Sequence, residues 1–243
     1  MKDKVVLITG ISSGIGQAIA LKYLEEGYSV CGLDVRPSWT SNSIDAYICN
    51  VSDEKDVRRT FEVIQKKYSS INYLINCAGI FFDQKRLLIE DMIIAEWNSV
   101  LMNNLNGCVL VTQRAIPLLK NAVGDKAIVY ISSDQAIYPR KNNSAYAVSK
   151  AGITNLSRAC AVELLEAHIR VNCVMPASVR SNFIKKLAET EDAMDRIFEK
   201  VNDAMPFGII EPSDVAETVY FFGSEKSQKI TGQSILLNSG LYI

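Results

Sequence analysis

A tyrosine and a lysine one helical turn apart form the sequence pattern with the clearest chemistry. Tyr146 and Lys150 have the i, i+4 spacing that places two side chains on one face of a helix, and Ser133 precedes Tyr146 by 13 residues. A phenol is a weak base at neutral pH, and a nearby ammonium group stabilises its phenolate form. The three residue types therefore predict a site that moves a proton to or from a substrate oxygen.

A glycine-rich segment near the start of the chain predicts an anion site. The segment from Thr9 to Gly16 follows the apolar run 5–8 and precedes a stretch, 15–26, whose apolar residues have helical spacing. Glycines let a backbone turn tightly against a pyrophosphate, and the N-terminus of a following helix attracts its negative charge. The predicted dinucleotide contacts from this segment are Gly10, Ser12, Ser13, Gly14, Ile15 and Gly16.

An acidic residue at the end of the second predicted strand bears on which dinucleotide is bound. Asp34 can accept hydrogen bonds from a ribose diol and would repel a 2′-phosphate. Ser13, just before Gly14, carries no positive charge that could hold such a phosphate. Arg36 favours NADP instead, because a guanidinium group suits phosphate. The residues favour NAD, and NADP remains the alternative.

Strand-like and helix-like segments alternate through nearly the whole chain. The segments predicted as strands are 5–8, 28–33, 46–49, 73–76, 127–131, 170–175 and 234–237, and the first of them is wholly apolar. Alternation of this kind predicts an α/β fold with one doubly wound parallel sheet (a Rossmann fold) and helices on both faces. Together with the motifs above, it makes a single NAD(P)-binding catalytic domain over 1–243 the expectation. The amphipathic segment 181–207 breaks the alternation, and we expect a helical substrate lid there, with a plain pair of surface helices as the alternative.

Composition and charge argue against several classes of protein. The chain has 26 basic and 27 acidic residues, a net charge of −1 that does not suit a nucleic-acid binder. No apolar run approaches the length of a membrane span and no signal-peptide pattern precedes the first strand, so we expect a cytoplasmic protein. The 6 cysteines are scattered and the single histidine, His168, has no suitably spaced partners, so neither disulfides nor a metal site is predicted.

Taken in order and spacing, these motifs resemble those of the short-chain dehydrogenase/reductase family, and the resemblance covers essentially the whole chain. Four residues match the catalytic tetrad of that family: Asn104, Ser133, Tyr146 and Lys150. The resemblance implies that Tyr146 is the acid/base and that Ser133 orients the substrate oxygen. It also implies that Lys150 assists the tyrosine and binds the nicotinamide ribose, and that Asn104 holds a water in a proton relay.

The resemblance also implies cofactor contacts outside the glycine-rich segment. The sequence Asn76-Cys77-Ala78-Gly79 is similar to the family's Asn-Asn-Ala-Gly element, and 176–181 is similar to the element beside the nicotinamide. Ala177 departs from the family pattern, which has glycine at that position. The remaining expected contacts are Asp34, Val35, Asn50, Val51, Asn76, Ala78, Gly79, Tyr146, Lys150, Pro176, Val179 and Ser181.

The resemblance implies an NAD(H)-dependent oxidoreductase that transfers hydride between nicotinamide and a secondary alcohol or ketone. The polar loop between Ser133 and Tyr146 suits a small hydroxyl-bearing substrate, whereas the apolar stripe of 181–207 suits a hydrophobic ketone equally well. An NADP(H)-dependent ketone reductase is one alternative, and a non-enzymatic dinucleotide-binding sensor or scaffold is another. Because family members commonly form dimers or tetramers, we expect a homodimer or homotetramer that pairs the helical stretches near 91–119 and 145–167.

Overall fold

A central parallel sheet sets the positions of the helices and loops around it. The computed structural model describes residues 4–12, 14–37, 44–81, 87–181 and 191–242. Within them, 7 parallel strands form one sheet in the order β3-β2-β1-β4-β5-β6-β7. The strands are β1 (Val5–Thr9), β2 (Ser29–Asp34), β3 (Ile44–Ile48), β4 (Tyr73–Asn76), β5 (Ala127–Ile131), β6 (Arg170–Pro176) and β7 (Ser234–Leu237). The strand order reverses between β1 and β4, and in such sheets the ligand crevice lies at that reversal.

Helices cover both faces of the sheet. They are α1 (Gly14–Glu25), α2 (Glu54–Lys67), α3 (Ile94–Leu101), α4 (Gly107–Lys120), α5 (Ser144–Glu163), α6 (Glu191–Ala204) and α7 (Pro212–Phe222). Side chains of β1 alternate between two buried clusters, with Val5 and Leu7 on one face and Val6 and Ile8 on the other. Both faces of this strand are buried, which explains its uninterrupted apolar sequence. The predicted doubly wound parallel sheet is confirmed.

The ends of the helices follow from local sequence. Asp53 caps α2, because its carboxylate accepts the backbone N–H groups of Lys55 at 2.8 Å and Asp56 at 3.2 Å. The start of α7 combines Pro212 in its first turn with a capping box in which Glu211 takes part. These caps satisfy backbone groups that the first turn of a helix leaves unpaired.

A π-helical turn joins α3 to α4. The turn spans Met102–Asn106, so the predicted helical stretch near 91–119 contains a local widening rather than a uniform helix. Asn104 lies in this turn and its side chain is fully buried. Because π turns inside helices are frequent at functional sites, the π turn supports a functional role for Asn104.

The second half of the predicted lid is a helix that packs on the core. Residues 182–190 lie outside the described residues, whereas α6 lies within the predicted segment 181–207. Phe198 and Met205 are buried in the cluster on one face of the sheet, and the Arg180 guanidinium lies 4.8 Å from the centroid of the Phe198 ring. The C-terminal part of this segment is therefore anchored. None of the described helices is long and apolar enough to cross a membrane.

Candidate active site

The turn between β1 and α1 requires its glycines. Gly10 and Gly14 have φ angles of 71° and 54°, in the left-handed region that favours glycine. A Cβ at Gly16 would overlap the carbonyl oxygen of Gly10, so the start of α1 can approach the end of β1 only without a side chain there. The three predicted glycines thus form one tight turn that leads into the N-terminus of α1.

Other residues of this turn fit a dinucleotide. The Ser12 hydroxyl is buried and has no hydrogen-bond partner in the described part of the chain. An unpaired buried hydroxyl next to a helix N-terminus suits an anionic ligand, because a phosphate oxygen would accept its proton. Ile15 is half-buried and packs against the core, and Ser13 lies outside the described residues.

Asp34 directs its carboxylate at the glycine-rich turn. One oxygen accepts the backbone N–H of Ser12 at 3.1 Å, and the other accepts that of Arg36 at 3.0 Å. Val35 and Arg36 are both exposed beyond the strand end. The carboxylate is therefore fixed at the edge where the sequence predicts the adenosine ribose, while the guanidinium is on the solvent side.

The loop after β3 holds Asn50 in a local turn. The amide oxygen of Asn50 accepts the backbone N–H of Ser52 at 3.1 Å and its hydroxyl at 2.8 Å, and the Asn50 N–H donates to Asp56 at 2.7 Å. Val51 is buried, and its side chain would lie 3.0 Å from a Cβ at Gly107. This loop is tied both to the start of α2 and to the start of α4.

The loop after β4 runs between the glycine-rich turn and the predicted tetrad. Thr9 Oγ1 accepts the backbone N–H groups of Cys77 at 3.0 Å and Ala78 at 2.9 Å. Asn76 instead points into the core, where it donates to Thr112 Oγ1 at 3.1 Å. A Cβ at Gly79 would lie 3.5 Å from Asn104 Oδ1 and 3.6 Å from Lys150 Nζ.

Tyr146 and Lys150 lie side by side on α5. The Lys150 ammonium is 5.5 Å from the centroid of the Tyr146 ring and donates to the carbonyl oxygen of Ile131 at 2.9 Å. Lys150 is buried, and Phe81 meets the Tyr146 ring edge to face with 5.3 Å between centroids. The two side chains therefore share one helix face, at the carboxyl end of β5.

Asn104 joins the π turn to the loop after β4. Its Oδ1 accepts the backbone N–H of Ile80 at 2.7 Å, and its Nδ2 donates to the Ile80 carbonyl oxygen at 2.9 Å and to Ser149 Oγ at 3.1 Å. The paired contacts to Ile80 fix the loop that contains Gly79. Asn104 Oδ1 and Lys150 Nζ both lie beside Gly79, so these two residues of the predicted tetrad are close together.

Ser133 has a buried acidic partner that the sequence did not single out. Its hydroxyl donates to Asp134 Oδ1 at 2.8 Å and accepts the backbone N–H of Gln135 at 3.2 Å. The other Asp134 oxygen accepts from Arg140 at 2.8 Å. Asp134 is one of several polar residues in this loop, and only its position directly after Ser133 could have indicated this contact from the sequence.

The segment after β6 closes the site on its far side. Pro176 ends the strand and Val179 forms an isolated bridge with Ile210. The Cβ of Ser181 would lie 3.4 Å from a Cβ at Gly14, so this segment faces the glycine-rich turn. The predicted contacts from β1, β2, β4, β5 and β6 therefore gather at the carboxyl edge of the sheet, apart from the inward-pointing Asn76.

A small pocket opens beside Tyr146, between the start of α3 and the start of α5. None of the sequence motifs predicts the apolar residues that line one side of this pocket. It is lined by Phe81, Leu87, Met92, Glu96, Trp97, Val100, Asn142, Asn143, Ser144, Ala145 and Tyr146.

This fold and site define an oxidoreductase of the Rossmann type that uses a nicotinamide dinucleotide. The chain belongs to the short-chain dehydrogenase/reductase family, and the family model described as "Enoyl-(Acyl carrier protein) reductase" matches residues 10–242. The chain is accordingly an enzyme that acts on a CH–OH group or the corresponding ketone.

Curated relatives match along their whole length. The 3-oxoacyl-[acyl-carrier-protein] reductase FabG of Thermotoga maritima is 34% identical over 257 residues, covering 100% of this chain and 99% of the relative. The (3R)-3-hydroxyacyl-CoA dehydrogenase of Mus musculus is 32% identical, covering 100% and 98%. The first name describes a reductase of 3-oxoacyl groups on acyl carrier protein, and the second describes a dehydrogenase of 3-hydroxyacyl-CoA.

Solved structures add a different substrate. The ligand-free aldohexose dehydrogenase of Thermoplasma acidophilum has a TM-score of 0.91 and 32% identity, covering 98% of this chain and 94% of that one. The structure described as ElxO with NADP bound has a TM-score of 0.87 and 26% identity, covering 98% of each chain. Similar chains thus act on sugars as well as on acyl groups.

Proposed function

We propose that this protein is an NAD(H)-dependent dehydrogenase or reductase that interconverts an alcohol and a carbonyl group on a small, hydroxyl-bearing substrate. The observation that carries the proposal is the buried Lys150 ammonium 5.5 Å from the Tyr146 ring, with Ser133 at the end of the adjacent strand. A single domain over 1–243 and a cytoplasmic location belong to the same proposal. The free, mostly buried cysteines among the described residues support a reducing compartment.

Tyr146 moves the proton in the proposed reaction, while the bound dinucleotide supplies the hydride acceptor or donor. In the oxidation direction hydride would leave the substrate carbon, and the substrate hydroxyl would give its proton to the phenolate oxygen of Tyr146, leaving a carbonyl group and a neutral phenol. The Lys150 ammonium stabilises negative charge on the phenol oxygen. At an effective dielectric constant of about 20, two unit charges about 5 Å apart interact by about 3 kcal/mol. Ser133 hydrogen-bonds the substrate oxygen, and Asn104 holds the loop beside Lys150 in place.

Replacing the proposed acid/base tests this assignment. Tyr146→Phe should lower kcat by about 10² to 10⁴, the usual contribution of a positioned acid/base, and leave the Kd for the dinucleotide within about twofold. Tyr47→Phe, on the partly exposed strand β3, is the matched control and should retain full turnover. Undiminished turnover in Tyr146→Phe would refute the role of the phenol.

The fixed Asp34 carboxylate supports NAD(H) as the cofactor. A 2′-phosphate would meet its negative charge next to the Ser12 N–H. NADP(H) is the second candidate, because Arg36 is exposed nearby and a structural relative binds NADP. We expect a lower Kd for NADH than for NADPH, and Asp34→Ser should reduce the difference by about tenfold or more. Tighter binding of NADPH by the unaltered protein would select the second candidate.

Exposed apolar side chains on three helices support the proposed homodimer or homotetramer. They lie on α3, on α4, in the turn between them and along α5 into its C-terminal turn: Ile94, Met102, Val109, Val148, Val162 and Leu165. An interface between subunits would remove these exposed apolar side chains from water. Light scattering should give a mass above that of one chain, and Val162→Glu should lower it. Leu21→Glu, at an exposed position on α1, should not.

A further inference from the structure

The pocket beside Tyr146 has an apolar side and a polar side. Aromatic and aliphatic groups of Phe81, Met92 and Trp97 form the first. The second includes Asn142 and Ser144, whose Oδ1 and Oγ atoms are buried and have no hydrogen-bond partner in the described part of the structure. Buried polar atoms are nearly always paired in folded proteins, so two unpaired ones on residues that line one pocket favour a ligand with hydrogen-bonding groups.

Asn142 adopts a left-handed backbone conformation just before α5. Its φ angle of 65° is uncommon for a residue with a side chain. The next residue, Asn143, is buried and donates from its amide to Gln135 Oε1 at 3.0 Å, which fixes the turn before α5. This turn holds Asn142, with its unpaired amide oxygen, in the lining of the pocket.

The chemistry of the lining selects the kind of group that fits. The Asn142 amide oxygen and the Glu96 carboxylate accept hydrogen bonds, and the Ser144 hydroxyl can accept one or donate one. Hydroxyl groups of a ligand can pair with all three, while its C–H groups pack against Trp97 and Phe81. An acyl chain would cover the apolar side but leave the buried oxygens unpaired.

We propose that this pocket binds the distal hydroxyl groups of a polyhydroxylated substrate, a sugar or polyol, whose reacting carbon lies at Tyr146. The proposal rests on the proposed function and narrows its substrate class. The reacting CH–OH group gives its hydride to the nicotinamide and its proton to Tyr146 and becomes a carbonyl group, while the hydroxyls in the pocket are unchanged. Among the substrates that the names of similar proteins describe, the proposal favours a sugar, as in the aldohexose dehydrogenase, over an acyl group.

Two substitutions test the pocket in turnover. Asn142→Gly removes the amide and accepts the positive φ without strain, and Ser144→Ala removes the hydroxyl. Each should raise KM about tenfold for an aldohexose or hexitol that the enzyme oxidises, and change KM less than twofold for the analogue that lacks the distal hydroxyls. His168→Gly is the matched control and should change neither value, because His168 also has a positive φ but is exposed and lies before β6, at the opposite edge of the sheet.

A binding measurement separates this inference from the proposed reaction. Trp39→Phe leaves Trp97, in the pocket wall, as the single tryptophan of the chain. In the Tyr146→Phe background, the hexitol should change Trp97 fluorescence in a saturable way, and Asn142→Gly should weaken that binding about tenfold.

These experiments distinguish a failure of the proposed function from a failure of the pocket assignment. Saturable hexitol binding without hydride transfer in the unaltered enzyme would overturn the proposed function and support the pocket assignment. Faster turnover of a 3-oxoacyl thioester than of every sugar and polyol tested would overturn the pocket assignment and the hydroxyl-bearing substrate of the proposed function, while leaving its oxidoreductase chemistry intact. An equal KM change for the hydroxylated substrate and its deoxy analogue would overturn the pocket assignment as well.

Discussion

Thr9 offers a sharp test of how the fold positions the dinucleotide site. Its side-chain oxygen is the acceptor for two backbone N–H groups, those of Cys77 and Ala78, which begin the loop after β4. Thr9 itself is buried at the end of β1, next to Gly10. Thr9→Val keeps the shape and removes the acceptor, so both N–H groups lose their partner at once.

The expected cost follows from those two groups. A buried donor left unpaired costs about 1–3 kcal/mol, and this loop is half-buried, so Thr9→Val should lower the free energy of unfolding by about 2–3 kcal/mol. That corresponds to a fall in Tm of about 5–10 °C for a chain of this size. Because the same loop carries Gly79 past Lys150, affinity for the dinucleotide should also fall.

Urea unfolding followed by circular dichroism measures the effect, with Thr9→Ser as the control that keeps the hydroxyl. The Ser variant should lie within about 1 kcal/mol of the unaltered protein, since it loses only a methyl group. Equal unfolding midpoints for the Val and Ser variants would refute the argument that this oxygen holds the loop.

Three further predictions concern the turn, the core and the thiols. Gly16→Ala should abolish dinucleotide binding measured by calorimetry, because its methyl group overlaps the Gly10 carbonyl; retained binding would contradict the tight-turn geometry. Arg170→Met should lower the free energy of unfolding by about 3–5 kcal/mol in urea, because it leaves the buried Asp125 carboxylate without its 2.7 Å ion pair; a loss below 1 kcal/mol would argue against that role. Burial raises the pKa of Cys173 to about 11, so this thiol should resist alkylation at pH 8 in the folded protein and react after denaturation; rapid labelling of the native protein would be inconsistent with its burial.

Local patterns were enough to predict the strands and the two main motifs. The run 5–8 in β1 is apolar throughout because both faces of a central parallel strand are covered. The glycine spacing before α1 and the i, i+4 spacing of Tyr146 and Lys150 predicted geometry correctly, since both depend on a few consecutive residues.

Asn76 shows where local resemblance gives incomplete geometry. The motif placed it among the cofactor contacts, and its side chain instead donates to Thr112 in the core. Neighbouring residues on a strand point to opposite faces, so one motif can supply both a structural and a binding residue. Which face is which depends on what packs there.

The sequence by itself determined the order of strands and helices, the tight glycine turn and the shared face of Tyr146 and Lys150. Only the tertiary structure decided that Asn104 fastens Ile80, that Ser181 faces Gly14, and that Asn142 has an unpaired oxygen in the pocket beside Tyr146. The physical reason is the separation along the chain over which each interaction acts. Helical spacing and turn geometry act within a few residues, whereas these contacts depend on the order in which strands pair and on how side chains fill the space between distant segments.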